Sequence, residues 1–366
     1  MIALDRAQVL AFRLARHHLH TRLPAGSADE AAWLGLQDTP PLSAGIALAA
    51  RIEGADQADL DALVIVQSIR GAPLAVARED LAVFTTGLAP PDEKAAAVLI
   101  GNASKALDGI TALDALDRVS AAVADALADG PLGRDAFHQA LRERLPEELL
   151  WWCKGCQSHH VHPSLWRATG VRGVLAIAGR DGRTAIFAAP PPAPPLEDPA
   201  AELARRFLRG YGAATPALLA KWAGVAPTHA KALWERAGEL ERVEVEGKKA
   251  WTLPDDVDAL TAPPEASGVR LLPGYDPFLA ARDRELLLPD PDRRKRIWRL
   301  LGNPGAVLRD GEFAGTWRAS RKGERLVVEV EAFGRRLRGA GDELDAEART
   351  LAPWRGAESA EVTLAT

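Results

Sequence analysis

Two stretches of this chain carry side chains that could do chemistry. The first is GLQDTPPLSA, from Gly35 to Ala44. Gln37 can hydrogen-bond a base or a water molecule, and Asp38 can orient or deprotonate water. Thr39 adds a hydroxyl. The pattern predicts a helix ending at Gln37, then an abrupt turn through Asp38, Thr39 and two prolines between apolar helices. The alternative is a helix C-terminus followed by an Asp-Thr cap for the next helix. The second stretch is CKGCQSHHVH, from Cys153 to His162. Two thiols and three imidazoles are ligand types that zinc prefers. Cys153, Cys156, His160 and His162 are therefore candidate ligands of a structural zinc, although the histidines follow more closely than in an ordinary finger. The competing reading is a buried Cys pair with His159 and His160 packing or facing DNA. A redox pair is disfavoured, because no thioredoxin-like strand-helix-strand pattern surrounds it.

The elements that must position these residues repeat one pattern. In residues 1–90 a first helix carries Gln8, Val9, Phe12, Arg13 and Arg16 and ends near Leu23-Pro24. Ser27 is expected to cap SADEAAWLGLQ, with Glu30 completing a capping box. A third helix covers Ser43 to Arg51. Val64 to Ile69, the turn Arg70-Gly71-Ala72-Pro73 and Leu74 to Ala77 form a hairpin. Residues 91–190 hold helices from Thr111 to Ala128, Arg134 to Arg144 and Pro163 to Thr169. A hairpin over Val174 to Ala188 follows, turning at Gly179-Arg180-Asp181-Gly182. Pro190 to Pro199 is a proline-rich linker. Residues 199–262 are the clearest case. Thr215 caps a helix opened by Pro216 and closed by Gly224, Pro227 opens a second, and strands flank Glu246-Gly247-Lys248-Lys249. Residues 263–366 alternate strands with a charged helix near Asp292 to Leu301. The fold class is thus α+β, mainly α: three tandem winged helix-turn-helix units and a small C-terminal β-barrel or sheet. Each hairpin plays the part of a wing. The helix opened by Pro227 is short of Arg, Asn and Gln for reading bases, which suits a scaffold wall better than a recognition helix.

The 366 residues carry a net charge of −5, which argues against a protein that coats DNA non-specifically. The charge is uneven. From Arg282 to Arg338 there are 15 Lys and Arg against 9 Asp and Glu, an asymmetry that fits either a phosphate-binding surface or a solvated Arg-rich face. No window has the apolar length of a membrane span. The N-terminus is an amphipathic helix without the apolar core or cleavage site of a signal peptide, so a cytoplasmic protein is expected, nucleoid-associated if it binds DNA. No glycine turn has phosphate-loop spacing, so no nucleotide cofactor is expected. His17, His18 and His20 read as a solvated helix end. Trp151, Trp152 and Trp317 are candidate base-stacking or wall residues.

Tandem helix-hairpin units, the Gly35-Leu36-Gln37 turn and the late Leu272-Pro-Gly-Tyr-Asp-Pro-Phe278 together resemble the winged-helix DNA glycosylases of the AlkZ/YcaQ type. The Arg282-Asp283-Arg284 run and Val307 to Trp317 are similar to that family's C-terminal part. The resemblance extends over nearly the whole chain. It implies a concave face that binds double-stranded DNA, and hydrolysis of the N-glycosidic bond of alkylated or crosslinked purines by a monomer that requires no cofactor. The family's signature is Gln, any residue, then Gln or Asp. Gln37 matches the first position and Thr39 departs from the third. Asp38 is displaced by one residue and could substitute only if the turn is re-registered. Arg70-Gly71 keeps the Arg-Gly of the first wing without the histidine some members have nearby. The resemblance implies Gln37, Asp38 and Thr39 as the catalytic turn, and Arg70, Arg282, Arg284 and Arg318 as phosphate contacts. It implies no metal. A non-catalytic winged-helix DNA-binding or regulatory protein that lost the second catalytic residue is the alternative, and a protein-interaction scaffold, suited by the acidic net charge, is a third.

Overall fold

In the computed structural model, which describes residues 2–365, helices and strands are mixed along the whole chain in an α+β arrangement. The chain forms two compact units interleaved in sequence. One holds Met1–Leu63, Arg206–Leu218 and Glu239–Thr366, the other Val64–Arg205 and Leu219–Gly238. Among the described residues no helix is long and apolar enough to cross a membrane.

The first unit begins with a strand, Ile2–Leu4, that pairs in parallel with Glu241–Val245, so that Leu4 lies opposite Val245. Asp5 then caps the helix Arg6–Arg16: its carboxylate accepts from the Gln8 N–H, while the Gln8 side chain accepts from the Asp5 N–H. That capping box satisfies two donors the helix start would otherwise orphan. Val9 and Phe12 join Leu4, Val243, Val245, Ala250 and Leu260 in one buried cluster. The helix stops at Arg16, short of the expected Leu23-Pro24. His17 turns inward and His18 adopts a left-handed φ of 53°, which no helix continues through.

The C-terminal strands of this unit pair in linear order: Val269–Leu272, Gly305–Arg309, Glu312–Lys322, Arg325–Ala332 and Ser359–Ala365. The first three pairings are antiparallel. The last is parallel, and the helix Gly341–Leu351 makes the crossover that a parallel pair requires. Of the barrel-or-sheet expectation, the paired strands form the sheet. Trp317 lies in its core at 4% exposure and donates from Nε1 to the Leu272 carbonyl, so it is not a base-stacking residue.

In the second unit the strands run in the order Pro73–Val76, Val64–Gln67, Ala176–Asp181, Thr184–Ala188 and Leu132–Gly133. The hairpins expected at the ends of residues 1–90 and 91–190 therefore share one sheet, with Ile65 opposite Ile177. Thr111 caps the helix Ala112–Ala126, which opens where expected and ends two residues before the expected Ala128. Phe137, Trp166 and Phe187 form an aromatic core with Phe137 and Phe187 centroids 4.7 Å apart. Gly224 ends the helix Pro216–Ala223 at a φ of +71°, the left-handed position a C-terminal glycine supplies without strain.

Candidate functional site

Gln37 does not end a helix. Ser27 makes no side-chain cap and the helix it precedes covers only Ala28–Ala31. After Gly35, at φ +74°, the chain becomes extended and Leu36–Gln37 is a short strand. Extended chain sends successive side chains to opposite faces. Leu36 and Asp38 are buried, whereas Gln37 and Thr39 are half-exposed. Gln37 and Thr39 thus share the outward face, and Asp38 points inward at 2% exposure.

Asp38 has a structural partner there. Its Oδ1 accepts from the backbone N–H of Ala44, 3.3 Å away, at the start of the helix Ser43–Ala49. Of the helix-cap alternative, the contact to the start of the next helix is present, while no helix ends at Gln37 and the N-cap position is Leu42. The re-registered turn that would have made Asp38 a catalytic base does not occur, because re-registration would bury Gln37 and Thr39 and undo the cap.

Every residue of the helix Ser43–Ala49 is buried, so it anchors the turn into the core. Its approach to the chain's end requires a glycine: a Cβ on Gly45 would lie 2.1 Å from the Trp354 ring. The residue entering the helix, Leu42, holds a left-handed φ of 69°, a strained state for a side chain that branches. Just beyond the helix, Arg51 forms a bidentate pair with Asp276 at 2.7 and 2.8 Å, with the partners 1% and 0% exposed. Asp276 belongs to the Leu-Pro-Gly-Tyr-Asp-Pro-Phe run, and its Oδ1 also caps Phe278. Likewise Asp283, between Arg282 and Arg284, takes a bidentate contact from the buried Arg13 at 2.6 and 2.9 Å. The acidic residues of both C-terminal motifs therefore clamp the segment that carries Gln37.

His17 sits inside this clamp at 2% exposure, edge-on to Tyr211 and Phe278. It is not the solvated helix end expected from sequence. Burial, reinforced by Arg51 and Arg13, holds its pKa well below the ordinary 6.5. Burial and then Arg51 lower His18 to about 4. Arg13, His17 and Arg51 were the residues missed by sequence reasoning. The visible signal was a basic residue on the apolar side of a helix, beside Val9 and Phe12.

The candidate phosphate contacts are in different situations. Arg282 and Arg284 are half-buried, and among the described residues Arg282 makes no ion pair or hydrogen bond, while Arg284 lies over the Trp298 ring at 5.0 Å. Burial lowers both guanidinium pKa values, and Arg282 lowers that of Arg284 further. The Nε atoms of both are buried without a hydrogen-bond partner. Arg318 is exposed and donates to the Gly302 carbonyl at 3.0 Å. Beside it, Leu300 and Leu301 stand in solvent at 99% and 85% exposure. In the second unit, Arg70 is an exposed hairpin-turn residue at φ 57°, with its stem laid against Gly224.

The Cys/His stretch is also in the second unit, on a hairpin of Trp151–Cys153 and Ser158–His160. Ligand atoms of Cys153, Cys156 and His160 lie within 4.8 Å of one another. Hydrogen bonds from the Cys156 side chain, the Cys156 N–H, His160 and the Gly155 N–H lower the Cys153 thiol from 9.0 to about 6. His162, expected in the set, is drawn away. Its Nδ1 caps the helix Pro163–Ala168, accepting from the Ser164 N–H at 3.2 Å and lying 2.8 Å from the Ser164 hydroxyl.

Fold, turn and motifs together define a member of a repair-enzyme family, and comparison with known proteins names it. The chain belongs to the AlkZ-like DNA glycosylase family, whose model matches residues 31–354. It is 29% identical over 174 residues to the interstrand DNA cross-link repair glycosylase of Streptomyces sahachiroi, a match over 43% of this chain and 45% of that relative's length. The solved Streptomyces sahachiroi DNA glycosylase AlkZ superposes with a TM-score of 0.77 at 23% identity over the whole of both chains, which establishes the common fold.

Proposed function

We propose that this protein is a DNA glycosylase that hydrolyses the N-glycosidic bond of alkylated or crosslinked purines in double-stranded DNA. The observation that carries this reading is the outward pairing of Gln37 and Thr39 on a turn fixed by Asp38 and the buried helix behind it. Those two residues occupy the positions of the family's Gln-any-Gln/Asp signature. The relative named for crosslink repair supports the substrate class.

The chemistry asks little of the side chains. An N7-alkylated purine is already cationic. Water oxygen attacks C1′, the C1′–N9 bond breaks, its electron pair leaves with the base as a neutral N7-alkylpurine, and the proton lost from the attacking water passes to bulk solvent. Gln37 would hold the water through its amide oxygen and orient it with its N–H donors. Thr39 can accept or donate one hydrogen bond but carries no charge to stabilise a cationic sugar. The reaction draws on no cofactor. Bulky lesions need not be taken deep into a pocket, as many base-excision enzymes require.

For DNA binding, we propose that residues 1–90, 91–190 and 199–262 act as three tandem winged units and that residues 263–366 form a β-rich C-terminal domain beside them in sequence. Arg70, Arg282, Arg284 and Arg318 then contact phosphates. The exposed Leu300 and Leu301, flanked by Arg299 and Arg318, suit an apolar tip that probes a groove. A monomer acting in the cytoplasm on nucleoid DNA fits this reading.

Thr39 favours a second reading, a DNA-binding relative without catalysis. An excision assay on duplex DNA carrying N7-alkylguanine or an interstrand crosslink separates the two. Base release by wild type, lost in Gln37→Ala, is the expected result. Release no greater than that of Gln37→Ala would leave only the binder.

A further inference from the structure

The hairpin of Trp151–Cys153 and Ser158–His160 has no part in the chemistry above, yet it gathers three soft donors. We propose that Cys153, Cys156 and His160 bind a zinc ion that locks this hairpin. Tetrahedral zinc, with bonds of about 2.3 Å to sulfur and 2.0 Å to nitrogen, places its ligand atoms roughly 3.5–3.8 Å apart. The three donors already lie within 4.8 Å of one another, so shifts on the order of 1 Å close the site.

Strand register accounts for which residues meet. Trp151 is opposite His160 and Cys153 opposite Ser158, so Cys153 and His160 share one face. Trp152 and His159 are on the other, with their rings 5.1 Å apart, which removes His159 from the set. Cys156 comes from the turn. The turn folds back over Cys153: a Cβ on Gly155 would lie 3.8 Å from the Cys153 sulfur. His160 is also prepared. Its Nδ1 lies 2.8 Å from the Val161 carbonyl, which can only accept, so the proton is on Nδ1 and the lone pair on Nε2.

The hairpin needs such a fastening. It is a separate two-stranded sheet of three-residue strands, and its turn holds Gln157 at a left-handed φ of 51°. A two-stranded hairpin is marginal in water by itself. Binding takes both sulfurs as thiolates and ties turn to strand. No fourth His, Cys, Asp or Glu joins the group among the described residues, and Cys156 is exposed, so water completes the tetrahedron.

The test uses the full chain purified under reductant without chelator. Metal analysis is expected to find about one zinc per chain in wild type and in His159→Ala, and its loss in Cys153→Ser, Cys156→Ser and His160→Ala. Cobalt(II) added to metal-stripped wild type should produce a thiolate-to-metal absorption band, absent in Cys153→Ser. Because the cobalt titration reads wild type directly, misfolding of a variant does not blunt it. Zinc-free wild type that also yields no cobalt band, or zinc retained by the Cys153→Ser/Cys156→Ser double variant, overturns the proposal. None of these readouts depends on glycosylase activity.

Discussion

At the scale of single residues, Gln37, Asp38 and Thr39 have separate roles, and substitutions should separate them. Gln37→Ala is expected to slow base release by about 10²-fold or more, the usual size of a lost positioning or proton-transfer group, with the fold intact. Asp38→Asn keeps an oxygen to accept from Ala44 and should leave release nearly unchanged. Asp38→Ala removes the cap and should lower unfolding free energy by about 1 kcal/mol in urea titrations. Activity lost in Asp38→Asn with stability preserved would instead make Asp38 the base. Thr39→Asp places a carboxylate beside Gln37 and should accelerate release. An unchanged rate would mean that the third position contributes nothing here. The sequence already displayed Gln37 and its neighbours. It could not display which of them faced outward, because that depended on the segment being strand rather than helix. A period of 3.6 and a period of 2 put Asp38 on opposite sides, and a five-residue stretch before two prolines does not distinguish them.

Among the elements, the helix Ser43–Ala49 transmits the core's rigidity to the Gln37–Thr39 turn. Gly45→Val would drive a side chain into the Trp354 ring and should destabilise the protein by about 1–3 kcal/mol, with a rise in KM or a fall in kcat as the turn shifts. Asp276→Ala would leave Arg51 charged and unpaired in the interior, a loss of about 3–5 kcal/mol on the scale of broken buried ion pairs. Thermal unfolding measures both. Hairpins and helix ends were largely legible. Thr111, Thr215, Pro216 and Gly224 act where local rules put them, since caps and left-handed glycines depend on neighbours a few residues away. Ser27 failed because its backbone, at φ −96° and ψ 36°, is outside the extended region from which an N-cap side chain reaches back to the helix start. Trp317 and His17 were misjudged for another reason. Helical or strand spacing says which residues share a face, not which face is covered by distant chain.

For the molecule as a whole, the buried histidines make stability depend on pH. His17 and His18 bind a proton near 6.5 when unfolded, and only well below that, to about 4 for His18, when folded. The unfolded state therefore holds more protons between those values, and folding stability is lost as pH falls from about 6.5 toward 4. Above that window the contribution is fully present. Each histidine adds up to about 1.4 kcal/mol per pH unit to the slope. Urea midpoints at pH 7 and pH 5 should differ less in His17→Phe than in wild type. An identical slope would mean His17 is not neutral in the fold. DNA binding gives a second measurement. Affinity should fall with salt on a log-log plot, and Arg282→Ala and Arg284→Ala should each reduce that slope by about one. A slope that neither substitution alters excludes them as phosphate contacts.

The sequence alone determined the local vocabulary of this protein. Caps, turns, alternating apolar runs, the Gln37 signature and the Cys-x2-Cys pair are written in residues a few positions apart, where propensity and side-chain chemistry act directly. Only tertiary structure decided what those features face. Arg13 meets Asp283 across 270 positions and Arg51 meets Asp276 across 225, and the strand Ile2–Leu4 completes a sheet with Glu241–Val245. Such pairings follow from burying charge and apolar surface together. That is a property of the assembled core rather than of any short segment, and it is what turns Asp38 inward and leaves Gln37 and Thr39 outward.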